Sequence, residues 1–405
     1  MTRAKDILVN LFVLVLILIA GLICLEVLSR CYVRKSNLKE KVEYIENKLS
    51  SRHQVNIGDY DETLGWKNKP EAKDCFKTSE FDVCYSINSQ GLRNRETSFE
   101  KKQGIFRIVA LGESNVFGES VNYNRRFTDI IEQSIEGAEV VNMGVQGYGM
   151  DQAFLYLEKD GFKYGPDLVV LFVIEDFIDR CMNIKTWGIN VFKPRFVLNN
   201  EKNGIILQDL NSVKNNFQDK GASNSGLQAN ITASKLGREW PLARVFKESG
   251  IATIFRFYKR EQSIKMQLKN PDREYWNNMY NYLASNTRAE REFNNPEDLK
   301  KLIFILLSRY AAACREHSVN LLVVYIDPRP TAYLKDFCNS LGINYLDLSD
   351  VLIKASQFKP LRFEIDPHYT EYTHKIIGEY TGSYIKEKYK LEVNKDYQFE
   401  FLNKF

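Results

Sequence analysis

Residues Leu168–Ile174 read LVVLFVI, an unbroken apolar and β-prone run. A strand with one wet face alternates polar and apolar residues, whereas a strand covered on both faces does not. This run therefore predicts a strand inside a sheet with helices on both sides. Other segments fit the same scheme. Phe106–Leu111, Glu139–Asn142, Leu321–Ile326 and Ile343–Leu346 are short strand-like runs. Between them, Arg125–Ile135, a segment capped by Asp151 and ending near Lys159, a segment starting at Asn295-Pro296, Thr331–Leu341 and Glu371–Lys388 have helical character. Strands that alternate with helices predict an α/β fold with a parallel sheet.

In such sheets the reactive crevice lies outside the carboxyl ends of the strands. The run Phe106–Leu111 ends in Gly112-Glu113-Ser114-Asn115, which places a serine just past a strand end. A plain Gly-Ser turn gives the same four residues. A serine nucleophile needs a base, and the base needs a group to orient it. The chain has four histidines. His53 lies near the N-terminal segment, His317 ends a helix and His374 is inside the last helix. His368 sits in Asp366-Pro367-His368, in the loop just before that helix, with Asp366 two residues away. The glycine-rich stretch Asn142–Gly149 lacks the dinucleotide pattern, and Gly112–Gly118 lacks the Gly-Lys-Ser/Thr of a phosphate loop. Both remain suited to presenting backbone N–H groups to a developing oxyanion. No cofactor or metal is called for.

Ile7–Leu25 is almost wholly Ile, Leu, Val, Phe and Ala, with Asn10 its polar exception. About 19 residues rising about 1.5 Å each match a bilayer core. It has no clean signal-peptidase site. The expectation is an uncleaved anchor over 7–28, after a short tail at 1–6, with the body exported. Residues 29–57 form a charged juxtamembrane stalk, where Leu38, Val42, Ile45 and Leu49 recur at helical spacing. The body is 58–405, with a small β-rich flap at 58–100 and an insert at 180–297. A hairpin through Asn203-Gly204 opens that insert. Further on, Arg256, Lys259 and Arg260 suit a solvated helix face or an anionic partner. A net charge of +4 gives no case for nucleic acid. Cys75 and Cys84 flank a turn-like FKTSEFDV and form either a disulfide in an oxidising compartment or two separate thiols.

Taken together, the motifs resemble the SGNH (GDSL-type) hydrolase superfamily, and within it the membrane-anchored or exported members found with surface-polysaccharide machinery. The matching pieces are Ile108–Ser114, Val141–Gly147, Pro166–Leu171 and Asp366-Pro367-His368, with Leu64-Gly65-Trp66 and Asn88–Arg93 upstream. The resemblance implies a flavodoxin-like, three-layer α/β fold, here preceded by one transmembrane helix. It also implies Ser114 as nucleophile, His368 as general base and Asp366 as its orienter. Ser114 and Gly147 N–H groups would be oxyanion donors. The family's third donor is an asparagine, and Glu175 stands in its place in Val173-Ile174-Glu175-Asp176. Glu113 replaces the family aspartate and is expected mainly to brace the turn. The implied protein is an exported, membrane-anchored serine esterase or O-acetyltransferase acting on acylated surface glycans. It would be a single-pass protein of the cytoplasmic membrane, with an integral-membrane acyl donor as a possible partner. The alternative is a catalytically impaired SGNH-fold glycan-binding or assembly factor, which Glu175 favours.

Overall fold

The computed structural model describes residues 57–77, 80–184, 192–199, 204–213, 296–363, 366–402 and 404. Ahead of these it describes only 14, 21–22, 24–29 and 31–32. The chain divides into two units, 1–52 with 222–283 and 53–221 with 284–405. In the first, the described residues are helical, and Leu14, Leu22, Leu25, Val27 and Leu28 are exposed. Among the described residues no helix is long and apolar enough to cross a membrane. Most of Ile7–Leu25, the Ser36–Arg52 segment and the basic Arg256, Lys259 and Arg260 lie outside the described residues.

In the second unit, two antiparallel pairs come first: β1 (Gly58–Asp61) with β2 (Gly65–Asn68), and β3 (Lys73–Lys77) with β4 (Asp82–Ser86). In the second pair Cys75 lies directly opposite Cys84, and the two form a disulfide. The main sheet then starts with β5 (Phe106–Gly112), β6 (Ala138–Gly144) and β7 (Leu168–Val173). A separate antiparallel hairpin, β8 (Arg195–Asn199) and β9 (Gly204–Gln208), interrupts it. The sheet resumes with β10 (Asn320–Tyr325) and β11 (Asn344–Asp347).

The five main strands are all parallel, in the order β11-β10-β7-β5-β6. This is the flavodoxin-like order, in which the strand sequence reverses between the first and third strands, here β5 and β7. Crossovers leaving these two strands go opposite ways, so a crevice opens at their carboxyl ends. β7 is buried along its entire length, as its unbroken apolar run requires. β6 is longer than the sequence reading, because its pairing with β5 continues to Gly112 opposite Gly144.

Helices of this unit include α1 (Ser114–Phe117), α2 (Phe127–Ser134), α3 (Met150–Lys159), α4 (Glu175–Asp179), α5 (Pro296–Glu316), α6 (Ala332–Leu341), α7 (Ser349–Ser356) and α8 (Glu371–Tyr389). α2 packs on α8, and α3 packs on α5, where Phe154 meets Tyr310 edge to face at 5.0 Å. Asp151 does not cap α3, whose N-cap is Gly149. Asp151 is buried in the first turn, and its carboxylate takes two bonds from Lys193 Nζ at 2.7 and 2.8 Å. Its Oδ1 also accepts the Gln152 N–H at 2.9 Å, so the carboxylate serves the first turn from inside it and pairs with the buried ammonium, which would be costly to leave unpaired.

Candidate active site

Ser114 opens α1 directly after β5, at the reversal of strand order. Glu113 is the N-cap: its Oε1 accepts from Asn115 N–H at 3.1 Å and from Asn115 Nδ2 at 2.8 Å. Its Oε2 accepts the Ser114 hydroxyl at 2.5 Å, so Glu113 does more than brace a turn. Burial alone raises the Glu113 carboxyl. The Arg180 guanidinium, 3.6 Å away, and the bonds from Ser114 and Asn115 outweigh that and hold it below the ordinary carboxylate range. The close approach of α1 to the sheet depends on Gly144, where a Cβ would lie 2.2 Å from Phe117 N.

His368 comes from the loop before α8. Its Nε2 lies 2.8 Å from Ser114 Oγ, and its Nδ1 lies 2.6 Å from Asp366 Oδ1. The same Oδ1 accepts His368 N–H at 2.9 Å, and Asp366 is almost fully buried. The structure thus brings Ser114, His368 and Asp366 into one hydrogen-bonded row, joining residues 254 positions apart. A second carboxylate also reaches the imidazole, with Glu119 Oε2 3.3 Å from Nε2. The other described histidines stand apart. His374 accepts the Phe127 N–H at 3.1 Å, and burial, together with Arg126 and Arg93, pushes it down to about 3. His317 stacks on Phe162 at 3.9 Å.

Gly147 lies in the turn between β6 and α3, with φ +77°, a conformation that suits glycine. Val145 N–H ties this turn to Gly112 O at 3.3 Å. Glu175 opens α4 at the end of β7. Its carboxyl accepts from the Tyr325 hydroxyl on β10 at 2.9 Å. Burial, with Asp327 adding to it, pushes Glu175 up to about 7 despite the Tyr325 bond. Its hydrogen bond therefore leads toward β10, on the side of β7 away from β5 and Ser114.

Three loops of this site are held by the β-rich segment upstream of the sheet. Arg93 is buried and donates to Phe117 O at 3.2 Å and Val121 O at 2.7 Å, and also to Gly118 O. Those carbonyls belong to the turn that follows α1. Trp66 Nε1 donates to Gln146 O at 2.9 Å, next to Gly147, and Tyr148 O–H returns a bond to Trp66 O. Glu80 Oε2 accepts Asp366 N–H at 3.0 Å, and Phe81 packs on Phe363 with ring centroids 5.3 Å apart. Asn115 also links the two halves of the site, accepting Tyr369 N–H at 3.2 Å. Sequence reading missed Asn115, Glu119 and Glu80. Asn115 offered one signal, its place beside Ser114. Among the described residues no group of three or more His, Cys, Asp or Glu side chains is placed to hold a metal ion. Chemically, the row can pass the Ser114 proton to His368 while Asp366 holds the ring, once the hydroxyl turns its single hydrogen from Glu113 Oε2 to Nε2.

No family model matches the chain, and no curated protein matches it. Several solved structures are similar. One is a member of the lipolytic protein G-D-S-L family from Veillonella parvula, with 12% identity over 70% of this chain and 98% of that one, at a TM-score of 0.34. Another is a lipase/acylhydrolase from Enterococcus faecalis, with 12% identity over 72% of this chain and 100% of that one, at 0.35. A third is an acetyl xylan esterase, with 9% identity over 69% of this chain and 99% of that one, at 0.34. At these identities and TM-scores they stand as similarities, and the reading of the site rests on its own geometry.

Proposed function

We propose that this chain is a serine hydrolase of the SGNH type, an esterase or O-acyltransferase that passes an acyl group through Ser114. The observation that carries this reading is the row Ser114 Oγ–His368 Nε2–Asp366, at 2.8 and 2.6 Å, on loops at the carboxyl edge of a parallel sheet. Ser114 attacks the ester carbonyl while His368 takes its proton. Asp366 holds the ring so that Nε2 faces the serine. The Ser114 and Gly147 N–H groups are the oxyanion donors in this scheme. Glu175 adds no third donor while its carboxyl serves Tyr325, and one missing donor costs about 10²–10³ in rate.

The finer reading is an exported protein, anchored through Ile7–Leu25 in the cytoplasmic membrane, acting on acylated surface glycans with an integral-membrane protein as acyl donor. Exposure of Leu14, Leu22, Leu25, Val27 and Leu28 supports the anchor. The Cys75–Cys84 disulfide supports an oxidising compartment. The second reading, a catalytically impaired glycan-binding or assembly factor with this fold, is favoured by Glu175 and its bond to Tyr325. Labelling with a fluorophosphonate probe separates the two. The first reading predicts labelling of wild type and none of Ser114→Ala, with both proteins melting alike. Folded wild-type protein that takes no label refutes it.

A further inference from the structure

An acyl-enzyme is resolved by a hydroxyl compound that delivers a proton to the same base that took the serine's. The oxygen of that acceptor must come within hydrogen-bond reach of His368 Nε2. Glu119 stands beside that place, with Oε2 3.3 Å from Nε2, while Ser114 Oγ is 2.8 Å from the same nitrogen. Nor is it a loose surface carboxylate. Its N–H donates to Ser114 O at 2.9 Å, so it moves with the serine's own helix. Arg93 holds the carbonyls of Phe117, Gly118 and Val121 on either side. The next residue, Ser120, has φ +68°, a left-handed conformation, and its N–H is held by the Tyr85 hydroxyl at 3.1 Å. The Glu119 side chain keeps 19% of its surface exposed, so solvent reaches it beside the imidazole.

We propose that Glu119 is a further catalytic residue that binds the acceptor, and that the acceptor class it selects is a vicinal diol. This rests on the serine-hydrolase reading above. The selection follows from counting protons. A carboxylate only accepts hydrogen bonds. A monohydric alcohol has one O–H, which goes to His368 Nε2 and leaves Glu119 unserved. A diol places one hydroxyl on His368 and its neighbour on Glu119, and water serves both sites with its two protons. In the transfer step the acceptor oxygen bonds to the acyl carbon while its proton passes to Nε2. The tetrahedral oxyanion then collapses, the Ser114 Oγ–carbon bond breaks, and Nε2 returns the proton to Oγ.

The test uses the full chain in detergent with p-nitrophenyl acetate as donor. Equal concentrations of 1,2-propanediol and 1-propanol compete, and the two acetate esters are measured. Wild type is expected to favour the diol by about tenfold or more, the size expected for a hydrogen bond to a charged group. Glu119→Ala brings the ratio near that of free solution, and Glu119→Gln, whose amide oxygen still accepts, falls between. If Glu119→Ala folds poorly, the fall in Glu119→Gln decides. Equal loss of both esters with the ratio kept would mean a merely structural role and overturn the proposal, as would a wild type without preference. Failure of wild type to take the fluorophosphonate label would instead refute the hydrolase reading, and this proposal with it.

Discussion

Glu175 offers the sharpest thermodynamic prediction. Burial beside Asp327 lifts its carboxyl from an ordinary 4.5 to about 7 in the folded chain. A group whose folded pKa lies above its unfolded value favours folding relative to its ionised form at low pH. That advantage is complete below the unfolded pKa and is lost as pH rises through the folded one. The window therefore runs from about pH 4.5 to about 7. A shift of roughly 2.5 units at 1.36 kcal/mol each gives about 3 kcal/mol. Glutamine keeps the shape and the acceptor for Tyr325 but never ionises. The prediction is that Glu175→Gln matches wild type in urea unfolding near pH 4.5 and exceeds it by about 3 kcal/mol at pH 8. Taking the difference between the two proteins at each pH cancels the groups that titrate independently of Glu175. Parallel stability curves from pH 4.5 to 8 would show that the carboxyl ionises freely, and the burial argument would fall.

Two further outcomes follow from contacts described above. Replacing Cys75 and Cys84 together by serine releases a loop with a sequence separation of 9. The chain-entropy model puts the cost at about 2–3 kcal/mol, read as a lower urea midpoint. Trp66→Phe keeps the ring but removes the bond to Gln146 O. Turnover should fall roughly tenfold with KM little changed, since the Gly147 turn loses its alignment rather than its substrate contacts; a rise in KM alone would refute this role.

The sheet was legible because burial on both faces leaves its mark residue by residue. Leu168–Ile174 and Leu321–Ile326 needed only their own composition to be read as β7 and β10. The serine and the Asp-x-His were legible for a related reason: their places at a strand end and in a loop before a helix are local facts. What could not be read were contacts set by the fold between remote residues. Asp151 looked like a cap because its neighbours suit one, yet Lys193, 42 positions on, claims the carboxylate. Glu119 has nothing in its local sequence to link it to His368, and their approach exists only once β5 and the loop before α8 share one sheet edge. Glu175 was legible as a departure, but its direction was not. Only the pairing of β10 with β7 puts Tyr325 beside it.

The clamps from Arg93, Trp66 and Glu80 decide how small a working fragment can be. A polypeptide starting at Phe106 would carry all five parallel strands together with Ser114, Asp366 and His368. It would still lose the donors to Phe117, Val121 and Gln146 and the acceptor for Asp366 N–H. Trimming from the N-terminus should therefore abolish turnover well before it abolishes folding, with the break between Gly58 and Phe106 rather than at the start of the sheet. For anyone grafting this site onto another sheet, the unit to transplant is the strand edge together with the small β segment that brackets it.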